Sequence, residues 1–577
     1  MSRDAAIEIG AEALHAVNPR LFGQFMERAS WGEPGPEAVL QEGEKDLPEA
    51  VLEHFEAMNV PLIRYPGGSD IKVLDWTDWI SNAPNREDPE RPVSKGMRGD
   101  PITNNFGLDE YFRLRDRLGA ETILVVNLHD ALYKEKALEA AARHAAGLVA
   151  YCNAPAGAKL PEGMPDWPAI RAKNGHPEPF GVEYFQIGNE TYFFWPPKAK
   201  AAADLGLESF DAQAEYYIQC VVTKADAMRA VDPSIRLILD GPRQASHDES
   251  DVRRALFYRV AADPRVRERF EYLSYHAYAG SGTPVLLRVS RPEDGPIDDF
   301  ETDRWWKDRV SGTVLRQDEI DAESLWYVWM ARPGYIDGQG LNNGLGEITA
   351  FVKGLGYRIA CTEWNFNHWG VPDLEGGLKH QWASGLGAAG FIHGMLRQAD
   401  VIELGAQSMM LGVQWGINSV RYDPERDPSV YFHPQGRVTA FYSNNVGTAF
   451  LPVTYRENPR VPIDAQYVDG WGWPEQASLA LVDAVATRNE EMLFVHLLHR
   501  EFSDSRTVEI RLDEAFGLSF PTEATQRMLT GDITVGYGPN TVHDEESVPL
   551  VLESNTLKLS LPPRSISILR IPLPATP

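Results

Sequence analysis

Between residues 18 and 450 the chain alternates repeatedly between short apolar runs and stretches whose apolar residues recur at helical spacing. The runs fall near 21–26, 62–65, 123–127, 184–189, 237–240, 273–278, 359–363 and 402–407, which predicts eight strands. Runs that are apolar along nearly their whole length belong to strands buried on both faces, as in a parallel sheet covered by helices. The intervening segments supply such helices. Val51, Phe55 and Met58 share one face, and Asp46 is placed to cap that helix ahead of Pro48. Leu108, Phe112, Arg115 and Leu118 mark another helix, ended by Gly119, and a longer one covers 210–231. Eight strand–helix units predict an α/β fold, a closed (β/α)8 (TIM) barrel, with a doubly wound open sheet as runner-up.

After about residue 455 the pattern changes. The runs 479–485 and 492–498 are β-rich, and Ile566, Ile568 and Arg570 alternate near the end. Short strands at this spacing predict a C-terminal antiparallel β-sandwich. Ala5, Ile7 and Ile9 alternate as well, so an N-terminal strand is expected to join that sandwich. With 577 residues the chain exceeds what one core serves. The expected division is 1–17 (N-terminal strand), 18–454 (barrel) and 455–577 (sandwich). A long insertion at about 279–356 carries Trp305, Trp306, Trp326, Trp329 and a Gly-rich turn at 338–346. It either walls a cleft or forms an extra layer packed on its aromatic face.

Two strand ends carry a charge where a core residue would be apolar. Glu190 closes Gln186-Ile187-Gly188-Asn189-Glu190, and Glu363 follows Ala360-Cys361-Thr362. An unpaired charge is costly to bury, and active sites of (β/α)8 barrels lie at the C-terminal strand ends. Fourth and seventh strands of one barrel would bring both carboxyl groups to one rim. There one can serve as acid and the other as nucleophile, the chemistry of a retaining glycosidase. The bland alternative is a pair of structural ion pairs.

Composition narrows the partners. A net charge of −28 repels phosphate backbones and anionic lipid, so neither nucleic acid nor membrane is expected as a partner. No apolar stretch approaches the ~20 residues that span a bilayer. Cys152, Cys220 and Cys361 are odd in number and far apart, which is no disulfide framework. Residues 1–7 lack the apolar run of a secretory signal, so a cytoplasmic location is expected and the Asn189-Glu190-Thr191 sequon is accidental.

Several segments, in order along the chain, carry a resemblance. They include 18–27, Ile63-Arg64-Tyr65-Pro66-Gly67-Gly68, Ile187-Gly188-Asn189-Glu190, Val231-Asp232-Pro233, Ser274-Tyr275-His276-Ala277-Tyr278, Glu363-Trp364-Asn365 and Leu561-Pro562-Pro563-Arg564-Ser565. The chain resembles the α-L-arabinofuranosidases of glycoside hydrolase family 51, within the retaining (β/α)8 glycosidase clan. The resemblance implies an exo-acting hydrolase that removes arabinofuranosyl residues from an oligosaccharide, with no cofactor. Glu190 would be the acid/base, its pKa raised by the second carboxylate, and Glu363 the nucleophile. Arg64 and Tyr278 would orient Glu363. Glu27, Ser69, Asn189, His276, Tyr278 and Gln407 would contact the sugar, with Gln414 competing for the role of Gln407. Ser69 stands where relatives usually carry an amide or a small polar residue, an asparagine there binding the sugar, and His129-Asp130 where they carry Gly-rich turns. Relatives often assemble, so a homo-oligomer is left open.

Other readings compete. A β-xylosidase, galactofuranosidase or endo-glucanase of the same clan would use the same carboxylates. An inactive sugar-binding barrel would keep the aromatics without needing the acids. A metal hydrolase would draw on His129, Asp130, His276 and Glu363, but no His-x-His or His-Glu-x-x-His pattern supports it, and no metal is expected. No Gly-x-Ser-x-Gly elbow is present.

Overall fold

The computed structural model describes residues 4–28, 32–84, 86–241, 252–280, 286–289, 305–308, 314–316, 321–331, 333, 344–367, 381–463 and 478–574. Eight parallel strands pair in chain order around a closed barrel. They are Gly23–Phe25, Leu62–Tyr65, Glu121–Val126, Tyr184–Ile187, Arg236–Leu239, Tyr272–Gly280, Arg358–Asn367 and Ile402–Ser408. Closure runs through Ala406, Gln407 and Ser408 beside Gly23, Gln24 and Phe25, so the open-sheet alternative does not apply.

Alternation along the strands decides what fills the cylinder. Leu62, Ile123, Tyr184, Ile238, Tyr272, Ala360 and Leu404 form one fully buried cluster. Residues two apart on a strand share a face, so Arg64 stands directly above Leu62. The apolar layer thus forms a floor, and the polar residues above it face the rim.

The helices Glu49–Met58, Leu108–Leu118 and Phe210–Arg229 match the sequence reading closely. One detail is corrected. The first is capped by Pro48 with no side-chain cap, while Asp46 accepts from Arg113 Nε at 3.1 Å. The helix begins too far along the chain for Asp46 to reach its free N–H groups.

Two antiparallel-dominated sheets make the sandwich. One contains Val453–Glu457, Ala5–Ile9, Arg506–Leu512 and Thr556–Leu561 in that order. The other includes His15–Ala16, Ala449–Leu451, Val482–Arg488, Met492–His499 and Ser565–Pro572. The N-terminal segment therefore feeds both sheets. Ala5, Ile7 and Ile9 point into a core shared with Val495, Leu497, Ile510 and Leu569, which explains their alternation.

Within the insertion, Leu286–Val289, Trp305–Asp308 and Val314–Arg316 form a small antiparallel sheet. Helix Ala322–Ala331 buries Trp326 and Trp329, and Trp326 Nε1 donates to the carbonyl of Arg500 at 2.8 Å. Trp326 thus packs on the sandwich side, where its ring centroid lies 6.2 Å from that of Phe502. Most of the Gly-rich turn lies outside the described residues.

Ile7→Ala is expected to destabilise the protein by about 2–5 kcal/mol, because it leaves a cavity between the two sheets. Chemical denaturation followed by circular dichroism reads this as a lower midpoint; an unchanged midpoint would show the N-terminal strand to be dispensable.

Candidate active site

Arg64, on the second barrel strand, is fully buried, and a guanidinium there must find partners for its donors. Nε donates to Gln186 Oε1 at 2.9 Å, Nη1 to Glu363 Oε1 at 2.9 Å and Nη2 to Asn189 Oδ1 at 2.5 Å. Its planar head lies 4.5 Å over the ring of Phe25. The other oxygen of Glu363 accepts from the Tyr278 hydroxyl at 3.0 Å, and Ser408 Oγ lies 2.6 Å from the same phenol, placed to donate to it. Register explains the reach. Strands six and seven pair His276 with Glu363 and Tyr278 with Asn365, after a slip between Ser274 and His276.

Glu190 sits just past the fourth strand in a tight turn. Gly188 has φ 92°, and Glu190 itself is left-handed at φ 49°, a conformation uncommon for a residue with a side chain. A Cβ on Gly188 would come within 3.1 Å of Asp240 Cβ. Asp240, closing the fifth strand, stabilises the turn by accepting from the Glu190 N–H at 3.2 Å and the Thr191 N–H at 2.7 Å, with the Thr191 hydroxyl as a third donor. Glu190 Oε1 then accepts from the Tyr192 hydroxyl at 2.8 Å and lies 3.0 Å from His276 Nδ1.

His276 joins the two acids. Its Nδ1 lies 3.4 Å from Glu363 Oε2, and one oxygen of each glutamate and this nitrogen all lie within 4.8 Å of one another. Burial disfavours charge on the ring, but Glu363 and Glu190 outweigh it and raise the His276 pKa. Burial would raise Glu190 too, yet hydrogen bonding and charge from His276, with help from Tyr192 and Lys72, hold it below its ordinary value. The free protein thus departs from the expected raised acid. The imidazolium between the carboxylates more than compensates the second negative charge. Lys72 is itself buried, 3.5 Å over the ring of Phe194, and burial pushes it down to about 8 against the pull of Glu190 and Asp240.

These groups open into a cavity of about 750 Å³. Glu27, Ser69, His276 and Tyr278 line it with Glu190 and Glu363, whereas Asn189 lies beneath, held by Arg64. Gly67 has φ 126°, a conformation that favours glycine, and a Cβ there would come within 3.1 Å of the Glu27 backbone, which gives the Pro-Gly-Gly turn its physical reason. Gln407 is corrected: it does not line the cavity. It is fully buried, accepts from Gln24 Nε2 at 3.1 Å and Ser419 Oγ at 3.2 Å, and donates to the Gln435 carbonyl. Its amide stitches the barrel seam, where strand register sets it against Gln24. Gln414 does not line the cavity either.

His129 and Asp130 do not join His276 and Glu363 as a metal set. Asp130 accepts from Lys224 Nζ at 2.9 Å, and His129 stacks on Tyr133 at 4.2 Å. Among the described residues, the group spaced to chelate a cation is Glu190, His276 and Glu363 itself. Sequence reasoning missed Tyr192, Asp240, Lys72 and Trp415. The aromatic run Tyr192-Phe193-Phe194-Trp195 after Glu190 was the available signal for the first.

The fold is a closed (β/α)8 barrel that brings two glutamates together at its rim. Residues 54–280 match the family model described as "Alpha-L-arabinofuranosidase 1 domain". The "Intracellular exo-alpha-(1->5)-L-arabinofuranosidase" of Streptomyces lividans is 30% identical over 305 residues, 52% of this chain and 38% of that protein. The matched part of the chain thus spans well under half the length of the curated relative. Among solved structures, the α-L-arabinofuranosidase of Thermotoga maritima aligns with TM-score 0.65 at 20% identity, over 99% of this chain and 100% of that one. The family 51 arabinofuranosidase of Xanthomonas axonopodis pv. citri aligns with TM-score 0.68 at 18% identity, over 98% and 99%. The chain is similar in sequence to arabinofuranosidases over part of its length and shares the fold of the family 51 structures.

The His276–Glu190 contact predicts a pH dependence of stability. Glu190, lowered from 4.5, contributes stability present above 4.5 and lost as pH falls through its folded value. His276, raised from 6.5, contributes stability present below 6.5 and lost as pH rises through its folded value. Denaturation of wild type and His276→Gln across pH should therefore differ most between about pH 4.5 and 6.5, with wild type the more stable. A difference independent of pH would refute the assigned charge state.

Proposed function

We propose that this protein is a retaining exo-α-L-arabinofuranosidase working by double displacement. The observation that carries the reading is the proximity of Glu190 and Glu363, with one oxygen of each within 4.8 Å. Retaining enzymes hold their carboxyl groups ~5–5.5 Å apart, whereas inverting ones leave ~6.5–9.5 Å for a water. The arabinofuranosidase names of the sequence relative and structural neighbours support the sugar.

Glu363, oriented by Arg64 and Tyr278, attacks the anomeric carbon while Glu190 protonates the departing oxygen. We assign the proton that Glu190 delivers to the ring of His276, whose Nδ1 lies 3.0 Å from Glu190 Oε1. Glu190 takes that proton and passes it to the leaving group. Once the glycosyl ester forms, the charge of Glu363 is gone, and Glu190 acts as base toward water. Glu27, Ser69 and His276, which line the cavity, are the groups proposed to meet sugar hydroxyls. Asn189 acts from beneath the cavity as the partner of Arg64. No described helix is long and apolar enough to cross a membrane, and a relative is named intracellular; a cytoplasmic role on short oligosaccharides is proposed on that basis.

A panel of 4-nitrophenyl glycosides should show α-L-arabinofuranoside as the preferred substrate, with proton NMR giving the α-anomer first. Preference for β-xyloside or for an endo-glucan would overturn the sugar assignment, and the β-anomer would overturn double displacement. Glu363→Ala and Glu190→Ala should each lose about 10³-fold or more in kcat on substrates with poor leaving groups, a few kcal/mol of barrier. Azide should restore Glu190→Ala on activated aryl glycosides, because the covalent ester still forms; failure of rescue would deny that role to Glu190.

A further inference from the structure

Glu33 lies outside the carboxylate cluster, is 4% exposed, and spends both oxygens on backbone. Oε1 accepts from the N–H groups of Gly35 at 3.2 Å and Val413 at 2.8 Å, and Oε2 from those of Gln414 at 2.8 Å and Trp415 at 2.6 Å. Three consecutive amides of a loop after the eighth barrel strand thus converge on one buried carboxylate from the loop after the first. The carbonyls of the same loop are tied as well. Trp415 O accepts from Arg421 Nη1 at 3.1 Å, and Gly416 O from Gln435 Nε2 at 2.8 Å. A segment held on both its donor and acceptor sides has little freedom to move.

The loop so fixed carries Trp415 and Ile417 into the cavity wall, and Trp415 packs on the Phe25, Met409 and Ile417 cluster. The wall is chemically split. Glu27, Ser69, His276 and Tyr278 gather with the two acids and suit a ring of hydroxyls, whereas Trp415, Met409 and Ile417 offer mainly apolar surface. Tyr192, Phe193 and Phe194 line the same cavity, and a furanosyl unit bound among the polar groups would direct its departing group toward apolar wall.

Resting on the retaining-glycosidase reading, we propose that Trp415 is the platform for the leaving group. Glu33 is the positioning residue that fixes it, for substrates whose aglycone presents a flat apolar face such as an aryl ring. The carboxylate makes no contact with substrate and acts through the loop. Aromatic platforms reward such rigidity, because a preset ring gives up little entropy when the ligand stacks.

The test compares 4-nitrophenyl and methyl α-L-arabinofuranoside in wild type, Trp415→Ala, Glu33→Ala and the double variant. Trp415→Ala and Glu33→Ala should each lose at least about 10-fold more kcat/KM on the aryl than on the methyl glycoside, chiefly through KM. The double variant should lose no more than about 2-fold beyond Trp415→Ala, since the two residues act through one element. Should Glu33→Ala not fold, Glu33→Gln, which removes acceptor capacity at the same volume, should show the same substrate bias in weaker form. Equal losses on both glycosides, or losses that multiply in the double variant, overturn the platform. A wild type inactive on both glycosides overturns the proposed function and the platform with it; an active one without substrate bias in the variants overturns the platform alone.

Discussion

The site depends on one buried guanidinium. Arg64 cannot remain above an apolar floor without partners, and breaking a buried ion pair from one side costs about 3–5 kcal/mol. Its three nitrogens reach side chains from two other strands: Gln186 on the fourth, Asn189 just beyond it, and Glu363 on the seventh. A single side chain therefore fixes the spacing of the two strand ends that bear the acids. Its fork geometry also dictates which oxygen of Glu363 is engaged, leaving the other for Tyr278.

On this base the second acid is held by different means. Glu190 occupies a left-handed backbone conformation, which is sustained because Asp240 satisfies the turn's donors and Gly188 permits its entry. His276 then couples the two carboxylates electrostatically. Its Nδ1 lies 3.0 Å from Glu190 Oε1 and 3.4 Å from Glu363 Oε2. That coupling reverses the simple expectation for two neighbouring carboxylates, in which like charge alone would raise the acid.

Much of the architecture was legible in the chain. The runs at 62–65, 359–363 and 402–407 appear as barrel strands because near-continuous apolarity leaves a segment few other places to go. Glu190 and Glu363 were legible for the converse reason, as charges ending apolar runs. The helix cap at Asp46 failed because capping depends on where the first turn starts, and a shift of two residues removes the contact. Gln407 failed because a polar residue at a strand end can face either the rim or its neighbour, and the closing register with Gln24 chose the neighbour.

Trp326 and Trp415 show the same limit. Both are tryptophans in long connections, yet one is buried on the sandwich side and the other lines the cavity. The sequence by itself determined the strand count, the second β-rich unit and the placement of two glutamates at strand ends, because periodicity and misplaced charge are local properties of a chain. Only the tertiary structure decided the distance between those acids, the histidine that joins them, and the buried glutamate that fixes the Trp415 loop. Each of these depends on contacts between residues far apart in sequence, which strand register and barrel closure alone bring together.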